Sequence, residues 1–93
     1  MPAIVTTNYL GGQEIEENLR MRVEDFFKDY LDDLRIDFLG TQFDTVWELT
    51  VTDFDGRKQW VRRLYGEKGG HEIQTILRIL EKVALEFAPA IAG

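Results

Sequence analysis

Residues 45–65 read TVWELTVTDFDGRKQWVRRLY, two alternating runs on either side of one tight turn signal. In an extended chain successive side chains point to opposite faces. Trp47, Leu49 and Val51 therefore share one face of the first run, and Val46, Glu48, Thr50 and Thr52 share the other. DFDG supplies the turn, with Gly56 free to take a positive φ. In the return run Lys58, Trp60, Arg62 and Leu64 fall on one face, and Arg57, Gln59, Val61, Arg63 and Tyr65 on the other. Its four bases thus do not form one patch. A two-residue turn at Asp55-Gly56 pairs Asp53 with Lys58, Val51 with Trp60 and Glu48 with Arg63. A bulged turn pairs Thr50 with Trp60 and Glu48 with Arg62. Either register sets a base opposite Glu48, an arrangement cross-strand pairing favours. A hairpin is the feature around which the rest of the chain must be arranged.

Periodicity changes on both sides of it. From Gln13 to about Leu34, apolar residues at Ile15, Leu19, Val23, Phe26, Phe27, Tyr30, Leu31 and Leu34 recur at spacings of three and four, the stripe of an amphipathic helix. Ile36 and Phe38 alternate with Asp37 up to Gly40 and predict a further strand. After the GEKGG loop a second helix is predicted from about His71 to Ala88, ended by Pro89, with Ile73, Ile76, Leu77, Leu80, Ala84 and Phe87 as its main stripe. Residues 1–12 read as a short edge strand or a flexible leader. The expected fold is α+β in the order α-β-β-β-α, a three-stranded antiparallel sheet with two helices packed on one face, in a single domain over 1–93. That order is similar to the topology of double-stranded-RNA-binding domains. The resemblance implies an RNA-binding module as an alternative function, but the start of the last helix reads KGGHEIQ, with one Lys against Glu72.

Composition removes most chemistry from consideration. The chain has no Cys and no Ser, so the two commonest activated nucleophiles and any thiolate metal site are missing. A single His, His71, excludes a multi-histidine metal site and leaves a capping or loop role for that residue. Aligning DFDG with a calcium loop puts Val51 and Arg62 at ligand positions, which neither can fill. No catalytic residue, metal or cofactor is expected, and the chain is read as a non-enzymatic protein. The absence of cysteine and of any apolar run near the ~20 residues that span a bilayer points to a soluble, cytoplasmic protein without membrane contact. The N-terminal MPAIVTTNYLGG lacks the basic and apolar regions of a signal peptide.

Charge is the remaining signal. The formal net charge is −6, which argues against direct nucleic-acid binding. Residues 1–56 hold 13 acids and 4 bases, whereas residues 57–93 hold 4 acids and 7 bases. Asp25, Asp29, Asp32 and Asp33 recur at helical spacing toward the end of helix one, and Asp37 follows. Aspartate is a poor helix former, and negative charge opposes the macrodipole at a helix C-terminus. These five residues are the expected contact for a protein partner with a basic surface, in the manner of an immunity-type or phage anti-defence inhibitor. In helix two, Ile79, Val83 and Leu85 lie at or outside the margin of the main stripe. They mark either deep burial or a homodimer interface, the alternative being a self-associating structural subunit.

Overall fold

A computed structural model describes residues 3–28, 34–43, 45–53 and 58–87. The elements are β1 (Ala3–Asn8), α1 (Gln13–Phe26), β2 (Leu34–Gly40), β3 (Val46–Asp53), β4 (Gln59–Tyr65) and α2 (Ile73–Phe87), with a 3-10 turn at Gly66–Lys68 before α2. The fold is α+β with two helices, as the periodicities predict, but the sheet has four strands in the order β1-β2-β3-β4. β1 runs parallel to β2, with Val5 beside Ile36 and Thr7 beside Phe38, and the other two pairings are antiparallel. The sheet is therefore mixed, not three-stranded and antiparallel. The order is β-α-β-β-β-α, which does not match the α-β-β-β-α order shared with double-stranded-RNA-binding domains. Six residues with one strongly apolar inward position carry little strand signal of their own. β1 becomes a strand because α1 supplies the crossover that a parallel pair needs.

The first helix is shorter than its stripe. It ends at Phe26, and Leu34 opens β2 with its side chain 2% exposed. A longer helix would carry Asp29, Asp32 and Asp33 in its last turns, against the macrodipole; those positions lie outside the described residues. Leu19, Val23 and Phe27 are buried at intervals of four, and the N–H of Phe27 donates to the carbonyl of Val23 at 3.2 Å. Arg20 and Lys28 pair with Glu17 and Asp25, three residues back. Glu16 turns instead to the β1–α1 loop, where Leu10 N–H and the Thr7 hydroxyl donate to its carboxylate at 3.2 and 3.4 Å.

One face of the sheet carries the core. Val5, Ile36, Phe38, Trp47, Leu49, Val51 and Leu64 meet Leu19 and Val23 from α1, Phe27 just after it, and Ile76, Leu80, Val83 and Ala84 from α2. No polar or charged residue among those described is buried. Val51 pairs with Trp60 and Glu48 with Arg63, so the hairpin takes the tight register; its turn, including Gly56, lies outside the described residues. On the opposite face the side chains of β2–β4 are exposed or half-buried, among them Leu39, Val61 and Tyr65. No described helix is long and apolar enough to cross a membrane.

Candidate functional site

Strand order in space follows strand order in the chain. β1 and β4 are opposite edges of the sheet. α1 lies against β1 and exposes Glu14, Glu17 and Asp25. At the other edge Lys58, Arg62, Arg63, Lys68, Arg78 and Lys82 are all exposed.

The β4 edge also holds a concavity that combines charge with an aromatic ring. α2 residues Thr75, Arg78, Ile79, Lys82, Val83 and Glu86, at intervals of three and four, lie on one stripe of the helix. They face Trp60 and Arg62 on the inner face of β4 across a groove of about 340 Å³. Trp60 and Ile79 are half-buried and pack against the core cluster, forming the floor. Arg62, Arg78 and Lys82 ring it, and none of them makes an ion pair or hydrogen bond among the described residues. Glu86 is the one acid in the lining. Arg78 and Lys82 are like charges four apart on a helix, a pairing that is unfavourable by about 0.2–0.5 kcal/mol.

The aspartates singled out in the sequence are not one assembled site. Asp25 is exposed and pairs with Lys28 at 3.5 Å. Asp37 lies on the open face of β2, on the side of the sheet away from the helices. There the Thr6 hydroxyl donates to it, and Arg35 Nε lies 3.2 Å from both its oxygens. Asp29, Asp32 and Asp33 lie outside the described residues. Of the three helix-two residues, Val83 is 2% exposed and belongs to the core, the deep-burial alternative. Ile79 is half-buried and Leu85 is 67% exposed. Leu85 adjoins Phe26 in a shallow apolar recess between the helix ends. Sequence reading placed Lys58, Trp60 and Arg62 on one face but missed the groove, because nothing in the pattern says which stripe of α2 faces β4. The i,i+4 repeat of bases at Arg78 and Lys82 was the one available signal.

His71 is a packing residue. Its ring stacks on Trp47 at a centroid distance of 3.7 Å and an interplanar angle of 8°. Nε2 lies 3.1 Å from the Leu64 carbonyl, so it donates there. A Cβ on Gly66 would sit 2.9 Å from Nδ1, so the small residue gives the ring its space. His71→Ala loses a ring stack and a hydrogen bond, each worth about 0.5–1.5 kcal/mol. The expected result is a lower urea midpoint with a changed tryptophan emission in the folded state. An unchanged midpoint would assign the ring to something other than packing. Among the described residues no group of three His, Cys, Asp or Glu side chains could hold a metal ion.

No protein-family model, curated protein or solved structure matches this chain.

Proposed function

We propose that the chain is a non-enzymatic protein-binding module of inhibitor type, which docks its acidic end on a basic surface of a partner protein. The observation that carries this reading is the strand order. It sets β1, with α1 and its Glu14, Glu17 and Asp25 against it, at one edge of the sheet, and β4, with Lys58, Arg62 and Arg63, at the other. A molecule with segregated charge presents a field that steers encounter with an oppositely charged surface. The contact residues in this reading are Asp25 with Asp29, Asp32 and Asp33, which follow α1 in the chain. Asp37 belongs to a separate patch on the open face of the sheet.

The test replaces Asp29, Asp32 and Asp33 together by Asn. The folded protein is expected to lose no stability in urea, since the change removes like-charge repulsion. The partner is first captured from the native host and then purified. Its association with the variant should be slower and less sensitive to salt than with the parent, by about tenfold at low ionic strength. Equal association rates and equal salt dependence for parent and variant would remove this reading. So would a partner whose contact surface is acidic.

A further inference from the structure

We propose that the groove between β4 and α2 receives an acidic, extended segment of a partner polypeptide, which adds to the free edge of β4 as a fifth strand. This surface is independent of the acidic end invoked above.

The backbone of β4 is the first support. Lys58 accepts from Asp53 N–H at 3.2 Å, and Gly66 N–H donates to Thr45 at 2.8 Å, so the even-numbered residues of this strand direct their main-chain groups at β3. Alternation turns Gln59, Val61, Arg63 and Tyr65 the other way. The Tyr65 carbonyl is taken by Gly70 N–H at 2.8 Å, which confirms that direction and ends the free stretch. Among the described residues no other strand covers this edge, which leaves Gln59, Val61 and Arg63 with main-chain donors and acceptors turned outward. A row of this kind is a template for strand addition.

The side chains decide which strand. A strand laid beside β4 puts alternate residues over the inner face, next to Trp60, Arg62 and the α2 stripe. Arg62 is an inward-facing charge on an edge strand, opposite the buried Leu49. Such a charge repels apolar and basic strands and so guards against aggregation. Together with Arg78 and Lys82, which have no ion-pair partner among the described residues, it accepts a strand with carboxylates on its inner positions. One set of cations thus excludes wrong partners and selects the right one. Half-buried Trp60 offers the apolar surface on which such a segment can rest. A nucleic acid cannot use the main-chain row, and a polyphosphate would meet a protein of net charge −6 with Arg63 turned to the opposite face.

The test uses the full chain labelled with 15N and the peptide acetyl-Glu-Val-Asp-Val-Glu-Val-Asp-amide, whose acids share one face of a strand. Expected are amide shifts and slowed exchange at Gln59, Val61 and Arg63, a shift of the Trp60 indole, and binding that weakens steeply between about 50 and about 500 mM NaCl. Two variants discriminate further. Arg78→Ala/Lys82→Ala alters exposed helix positions and should weaken binding by about tenfold or more. Val61→Pro removes an edge N–H that β3 does not use, so the fold should tolerate it while strand addition is lost. The proposal is overturned if the Gln/Asn counterpart of the peptide binds as well. It is also overturned if the shifts fall on the α1 face, if folded Val61→Pro binds like the parent, or if a dodecathymidylate strand binds more tightly than the peptide. None of these outcomes depends on Asp29, Asp32 or Asp33, so this proposal and the acidic-end reading fail separately.

Discussion

Phe38→Ala should bring the protein to the edge of unfolding at room temperature. Phe38 is fully buried on the inner face of β2, beside Thr7 of β1 and opposite Leu49 of β3. Truncating a buried phenylalanine removes the transfer free energy of its ring and leaves a cavity, a loss of about 3–5 kcal/mol. A domain of this size has a total stability of about 5–15 kcal/mol, so one substitution takes a large share of it. The neighbouring variant Leu39→Ala supplies the contrast. Leu39 is 43% exposed on the open face, where a change stays within about 1 kcal/mol. Urea unfolding of the two variants beside the parent reads the difference directly. The strand period is two, so the opposite ranking would mean that β2 is out of register by one residue.

Gly40→Ala is chemically a smaller change with a comparable effect. A Cβ at this position would lie 1.7 Å from the Tyr9 carbonyl oxygen and 2.6 Å from its carbon. The obstacle is main chain, so no rotamer relieves it. Either the end of β2 or the β1–α1 loop must move. That loop is already constrained, because Tyr9 holds a left-handed φ of 59° and Leu10 is buried. Overpacking of this kind costs about 1–3 kcal/mol and occasionally more, and the expected loss is at the upper end of that range. The same substitution in a Tyr9→Ala background should lose as much, since the Tyr9 side chain is not what blocks the methyl group. Rescue by Tyr9→Ala would show that the loop and the strand are packed differently.

The hairpin, both helices and the face each strand buries were legible because they rest on local periodicity. Trp47, Leu49, Val51 and Leu64 are all buried on the face that alternation assigned to them. Ile76, Leu80 and Ala84 are buried at helical spacing. The bases of β4 are split between faces as that alternation required, with Arg62 inside and Arg63 outside. The failures share one cause. Whether residues 3–8 form a strand depends on residues 34–39, about thirty positions away, and a parallel pairing leaves no turn signal between its partners. The apolar stripe through Leu34 looked continuous because a helix and a strand entering the same core both place an apolar residue there.

The sequence by itself determined the secondary-structure types of the hairpin, β2 and the two helices, the hydrophobic faces, the charge imbalance along the chain, and the absence of Ser and Cys. Each follows from side-chain chemistry read at a period of two or 3.6 residues. Only the tertiary structure decided that β1 completes a mixed sheet, that Asp37 stands on the face opposite the helices, that Val83 is core, and that Arg62, Arg78 and Lys82 surround Trp60. Those are relations between segments far apart in the chain. They are settled by which faces can be buried together, a quantity no single stretch of sequence contains.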